Sequence, residues 1–323
     1  MAKQRNRLVD GVAYVAARSL LFAFAWLPEM IAYPLLDGLG RTFLFLVKSR
    51  REISLRNLRQ AYGDSKSEPE LRRIAYRACG SAFMVLADMA KIGRYVHSGK
   101  FMARFDRSHW NERARDFERI ANGCPPILCT PHLGSWEAAG IGVAIEFRSI
   151  HVIARPLGNP LIDDYVRRTR SLTGCHLWPR RGGVVHLVEG LRSGQAVGTL
   201  PDQNQRLRAL FVPVFGKLAS CDRTQARLSQ MTGAPIVVGA AIRLGRRFRF
   251  RVAVADMFGV PEASPSADKK TAVDPVYEAT CRLHRAVEQL ILGAPEQYFW
   301  VHDRYRSRPP NEVSATPGEK KSA

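Results

Sequence analysis

The stretch CTPHLGSWEAAG, Cys129 to Gly140, follows a short apolar run and places His132 five positions before Glu137. A histidine and a carboxylate suit proton transfer: the carboxylate fixes one ring nitrogen and leaves the other free as a general base. On a continuous α-helix, positions five apart are separated by about 140°, so this pair cannot meet on one helical face. His132 is therefore expected in a loop and Glu137 in the first turn of the helix that follows. Gly134 would allow the tight turn between them, and Ser135 has the chemistry of an N-cap. A second reading stays open, in which His132 is a satisfied loop histidine and Glu137 only complements the helix dipole. There is no G-x-S-x-G, and no serine or cysteine nucleophile beside the histidine, because Cys129 belongs to the apolar run. A base here would activate a hydroxyl brought by a substrate, which makes the transfer direct.

The elements that must position this pair can be read from periodicity. Short apolar runs recur at residues 127–129, 150–154, 175–178, 196–200, 209–215, 235–244 and 248–255. Helical patterns separate several of them, at 136–145, 160–172, 183–191 and 223–231. This alternation predicts an α/β layered fold: a largely parallel or mixed central sheet flanked by helices, with an antiparallel edge from the last two strands. Further helices are expected over 68–94, 104–120 and 275–292. In such a sheet His132 would sit at a strand's carboxyl end, where ligand sites of open α/β sheets collect.

The chain of 323 residues is long enough for one large domain with an appendage, and its 46% apolar content is that of a globular protein. Six cysteines lie far apart with no C-x-x-C, which suggests neither a zinc site nor a disulfide framework. No metal and no cofactor is called for. A net charge of +20 favours an anionic partner. Nucleic acid is set aside because no RNP-like or zinc-finger pattern occurs, leaving an anionic membrane surface, an acidic carrier protein or a phosphorylated ligand.

Residues 11–27, GVAYVAARSLLFAFAWL, are apolar except for Arg18 and Ser19. As a helix they span about 25 Å, short of a hydrocarbon core of about 30 Å. Residues 30–47 form a second, interrupted apolar stretch, with basic residues before the pair (Lys3, Arg5, Arg7) and after it (Lys48, Arg50, Arg51, Arg56, Arg59). That pattern favours both ends on the cytoplasmic side, as in a re-entrant or interfacial hairpin, with a single span as the rival and two core helices of a soluble protein as a further reading. No A-x-A-like cleavage site follows the first run. The chain divides into an N-terminal apolar helical membrane segment (1–47), a main domain (48–306) and a polar tail expected to be disordered (307–323).

With these residues in hand, the sequence resembles the bacterial lipid A biosynthesis acyltransferases, the late lauroyl and myristoyl transferases of the glycerolipid acyltransferase superfamily. That branch reads close to NHFGNWE; PHLGSWE here keeps His132, Gly134, Trp136 and Glu137 and departs at Pro131 and Ser135. The blocks RNLRQAYGD (56–64), ARPLGNPLID (154–163), LRSGQAVGTLPDQN (191–204), 211–237 and PEQYFWVHDRYRSRP (295–309) follow in the order the family shows. The resemblance implies transfer of a fatty acyl chain from acyl carrier protein, or coenzyme A, to a hydroxyl of lipid A or its precursor, at the cytoplasmic face of the inner membrane. His132 would be the base and Glu137 its orienter. Arg155, Asp202 and Gln203 would belong to the substrate-binding site. Arg180 and Arg181, opening a helix, suit a phosphate. Other readings are the same fold acting on a lysophospholipid or another glycolipid, and a non-catalytic basic membrane-binding protein.

Overall fold

The computed structural model of the chain describes residues 7–171, 173–206, 209–261 and 274–310. Lys3, Arg5 and positions 311–323 of the expected tail lie outside the described residues. The chain begins with α1 (Arg7–Trp26), α2 (Glu29–Leu46), α3 (Lys48–Tyr62) and α4 (Glu68–His97). Then come β1 (Phe105–Asp106), α5 (Ser108–Ala121), β2 (Ile127–Cys129), α6 (Trp136–Glu146), β3 (Ile150–Ile153) and α7 (Pro160–Ser171). The series continues with β4 (Cys175–Trp178), α8 (Gly183–Arg192), β5 (Ala196–Thr199), β6 (Leu210–Val214), β7 (Lys217–Cys221) and α9 (Thr224–Thr232). It closes with β8 (Ile236–Arg243), β9 (Phe250–Phe258) and α10 (Pro275–Gly293).

Local chemistry sets the long helices. At α4, Ser67 and Glu70 form a capping box, with the Ser67 N–H donating to Glu70 Oε2 at 2.9 Å. At α10, Asp274 accepts from the Val276 N–H at 2.9 Å and Pro275 occupies the first turn, where its missing donor costs nothing. The helix expected over 104–120 starts later, at Ser108. Phe105 and Asp106 pair with Phe250 and Arg251 as β1, and the Asp106 carboxylate accepts from the Ser108 N–H.

Seven strands form one sheet in the order β1-β9-β8-β2-β5-β3-β4. From β8 to β4 all neighbours are parallel, and β9 runs antiparallel to β8. The expected mixed sheet with an antiparallel pair at the end of the chain is thus present, although β1 lies outside β9. The hairpin β6–β7 stands apart and packs on α10 through Val212, Ala219 and Tyr277. Only β6 of this hairpin is visible from apolar runs.

The two faces of the sheet differ. Ile127, Val197, Ile236 and Val238 point to one face and join Leu187, Leu228 and Leu283 of α8, α9 and α10 in the main core. Their neighbours Leu128, Gly198, Val237 and Gly239 point to the other, beneath α5 and α6. β5 lies between β2 and β3, although α6, α7 and α8 intervene in sequence. The carboxyl ends of β2 and β5 thereby become adjacent where the connections diverge, the switch point at which such sheets build sites.

Helix α4 carries a fully buried ion pair that ties it to the sheet. Arg243 Nη1, at the end of β8, donates to Asp88 Oδ1 at 2.6 Å and Nη2 bonds Oδ2, while Tyr33 Oη of α2 donates to Oδ1 at 2.7 Å. The Arg243 side chain is 1% exposed. Removing one partner strands the other charge in the interior. Asp88→Ala is expected to lower unfolding free energy by about 3–5 kcal/mol in equilibrium denaturation; a loss below about 1 kcal/mol would contradict the burial of this pair.

Candidate active site

His132 follows β2 in a loop of which Gly134 is the pivot. Its φ is +62°, and a Cβ there would lie 2.1 Å from the Ala241 carbonyl oxygen, so only glycine lets β8 approach this closely. Ser135 then caps α6, its Oγ accepting from the Ala138 N–H at 3.3 Å, and Glu137 falls in the first helical turn. These features agree with the sequence expectation.

The partner of His132 does not. The ring Nδ1 lies 2.8 Å from Asp202 Oδ1, and the His132 backbone N–H donates to Asp202 Oδ2 at 2.9 Å. Asp202 therefore takes the orienting place assigned to Glu137 from spacing. Glu137 instead binds Arg170 of α7, whose Nη2 donates to Oε1 and Oε2 at 2.7 and 2.6 Å. The reason is topological: β5 is adjacent to β2, so its following loop delivers Asp202 beside His132, whereas the first turn of α6 faces α7. Asp202, expected among the substrate-binding residues, is 4% exposed and bonds His132 through both oxygens.

With Nδ1–H donated to Asp202, Nε2 is the acceptor nitrogen, and the Gln203 amide lies 3.2 Å from it. The His132 side chain is 17% exposed, enough for Nε2 to meet a substrate hydroxyl. Burial opposes the imidazolium, but the charge and hydrogen bond of Asp202 outweigh it, with help from Glu137, so the His132 pKa lies above 6.5. Burial likewise disfavours the Asp202 carboxylate, yet the His132 charge and its two hydrogen bonds hold its pKa down at about 2.

The remaining expected residues follow the strand order. Arg155 is exposed in the loop after β3, one strand beyond β5. Arg180 and Arg181 are exposed after β4, the outermost strand, where Gly182 caps α8; Arg180 Nη2 lies 3.4 Å from Gln205 Oε1. All lie at the same carboxyl edge as His132, but only Asp202 and Gln203 touch it.

Sequence reasoning missed Arg170, which sits among Arg167 and Arg168 with nothing in its local pattern to single it out. It also missed what holds the loop from behind. Residues 297–299 run beside it: Gly134 N–H donates to the Gln297 carbonyl at 3.1 Å and Phe299 N–H to the His132 carbonyl at 3.0 Å. The Gln297 side chain exchanges two hydrogen bonds with the Arg243 backbone. Asn57 Nδ2 of α3 donates to the carbonyls of Trp300 and His302, and Arg56 pairs with Asp303 at 2.6 Å. The basic block after the apolar segments thus anchors the segment that backs His132.

Beneath the loop lies a cavity of about 190 Å³, lined by the second face of the sheet and by α5 and α6. Its lining extends from Trp136 and Glu137 to Phe147, about 16 Å along α6. Glu137 and Arg170 are among its few charged groups, against walls such as Leu128, Val143, Val152 and Val254. A base at the head of an apolar slot can act on a hydroxyl while a hydrocarbon chain is held below.

Residues 3–307 match the family model for bacterial lipid A biosynthesis acyltransferase. Among curated relatives, the lipid A biosynthesis lauroyltransferase of Escherichia coli K12 is 26% identical over 292 residues, covering 90% of each chain. The palmitoleoyltransferase of the same organism is 26% identical over 304 residues, again covering 90% of each. Its myristoyltransferase is 25% identical, covering 94% of this chain and 88% of that one. A histidine bonded to a buried carboxylate beside an apolar cavity and a family match across nearly the whole chain converge: this protein belongs to the bacterial lipid A biosynthesis acyltransferase family, and is an acyltransferase.

Proposed function

We propose that this acyltransferase moves a fatty acyl chain from an acyl thioester, carried by acyl carrier protein or coenzyme A, to a hydroxyl of lipid A or its precursor. The observation that carries this reading is His132, bonded through Nδ1 to buried Asp202 and in ring contact at 5.2 Å with Trp136, which lines the apolar cavity. Nε2 takes the acceptor's hydroxyl proton as its oxygen attacks the thioester carbonyl carbon. The tetrahedral intermediate collapses with cleavage of the C–S bond, and the departing thiolate takes that proton from Nε2. Asp202 stabilises the transient imidazolium and fixes its ring. Glu137 adds negative charge nearby and, through Arg170, holds the cavity wall. No acyl-enzyme is needed: Cys129, close to the base in sequence, is 1% exposed and burial pushes its thiol up to about 12.

Membrane association belongs to the same proposal. Helix α1 is the one helix among the described residues long and apolar enough to cross a bilayer. Yet it lies along the body, with Asn159 Nδ2 bonded to the Asp10 carbonyl at one end and Lys91 Nζ to the Leu27 carbonyl at the other. Val12, Val15 and Phe22 of α1 and Met30, Leu35 and Leu39 of α2 face outward. This supports an interfacial hairpin over a projecting span, with the main domain on the cytoplasmic face of the inner membrane. The net charge of +20 suits anionic lipid, a phosphorylated acceptor and an acidic carrier, with Arg155, Arg180 and Arg181 on the site's rim.

Two experiments test the reading. Lipids from cells expressing the wild type or His132→Ala at equal level, analysed by mass spectrometry, should differ by one acyl chain on lipid A, with transfer lowered about 10²–10⁴-fold in the variant. An unchanged acyl pattern would contradict the role of His132. The cavity is tested at Gly140 of α6, where an added Cβ meets nothing within 4 Å and a larger side chain enters open space. Gly140→Leu should fold and shift transfer to shorter chains, each excluded methylene costing about 0.8 kcal/mol or roughly fourfold in rate. Unaltered chain-length preference would remove the acyl group from this cavity.

A further inference from the structure

A second cavity, of about 240 Å³, lies between the α1–α2 turn and the carboxyl end of α4, and shares no lining residue with the cavity beneath His132. Four cations line it, Lys91, Arg94, Lys100 and Arg104, against one carboxylate, Glu29. Glu29 neutralises none of them by contact: its oxygens accept from Tyr95 Oη and from the Phe248 N–H. Lys91 Nζ caps the end of α1 by donating to the Leu27 carbonyl at 2.7 Å. Arg94 stacks over Trp26 at 5.0 Å and Arg104 over Tyr95 at 4.3 Å, so aromatic faces hold both guanidinium groups in place.

Among the described residues, Arg94, Lys100 and Arg104 form no ion pair and no side-chain hydrogen bond. Elsewhere arginines meet carboxylates, as Arg56, Arg77, Arg107 and Arg282 do. A concave cluster of positioned, unneutralised cations is a receptor for an anion with several acceptor oxygens. Its rim is apolar: Trp26 is 62% exposed and Met30 84%. We propose that this pocket binds the phosphate of an anionic bilayer lipid and so fixes the α1–α2 turn at headgroup depth. The proposal rests on the membrane-facing reading of α1 and α2 and is independent of the catalytic assignment.

The test is flotation of the full chain with vesicles of phosphatidylcholine alone or with added phosphatidylglycerol. Arg94→Gln with Lys100→Gln is compared with Arg72→Gln and Arg73→Gln, which remove equal charge from the first turns of α4, about 32 Å from Arg94 along the helix and beyond a Debye length of about 8 Å. Retained acyl transfer in detergent reports that both variants are folded. The first pair should lose at least about tenfold in affinity for phosphatidylglycerol vesicles and keep wild-type binding to neutral ones, while the second changes by less than about twofold. Equal losses in both pairs, or none in the first, would overturn the site. Competition by millimolar glycerol 3-phosphate that abolishes the phosphatidylglycerol preference would assign the same phosphate chemistry to a soluble ligand and overturn the lipid assignment. Failure of the wild type to float on any vesicle would instead defeat the membrane-facing reading itself.

Discussion

One carboxylate, that of Asp202, sets both the position and the proton affinity of His132. Because it accepts from the residue's backbone N–H and from its ring, the main chain and the imidazole cannot move independently. The low-dielectric surroundings that make such a pair costly to break also make it effective, since a charge near the ring is felt strongly there. The surrounding contacts serve this arrangement. Gly134 lets the loop press against β8, residues 297–299 close it from behind, and α3 and the Asp88–Arg243 pair anchor those supports to the helical layer.

The same sheet that aligns His132 provides the apolar slot. One face is packed by α8, α9 and α10 into a filled core, while the other leaves space beneath α5 and α6. Small residues on that face and on α6, among them Gly198, Gly239, Gly140 and Gly142, keep the slot open.

Much of this was legible in the sequence, for identifiable reasons. Most strands after residue 126 are apolar runs bounded by turn residues, and the loop around His132 carries its own turn and cap residues. The hairpin strand Lys217–Cys221 was not legible, because Lys217 and Ser220 break up its apolar residues, although Ala219, Ser220 and Cys221 are buried. Neither was the true partner of His132. Spacing sees Glu137 five positions away, whereas Asp202, seventy positions on, becomes a neighbour only because β5 inserts beside β2. Arg170 reaches Glu137 from 33 positions along the chain, a side-chain contact that no local pattern encodes. The block Arg56-Asn57 reads as surface charge, yet it holds the carbonyls and the carboxylate of residues 300–303.

The most direct test of the central claim is the pH dependence of acyl transfer in the wild type and in Asp202→Asn. Neutral imidazole is the active form, so activity falls as pH drops through the His132 pKa, with a midpoint above 6.5 in the wild type. Removing the carboxylate leaves burial, which opposes protonation, as the dominant influence. The account predicts a slower enzyme whose acid limb lies at lower pH. A variant that is slower with an unmoved acid limb would contradict it, because the titrating group would then not be the histidine that Asp202 holds.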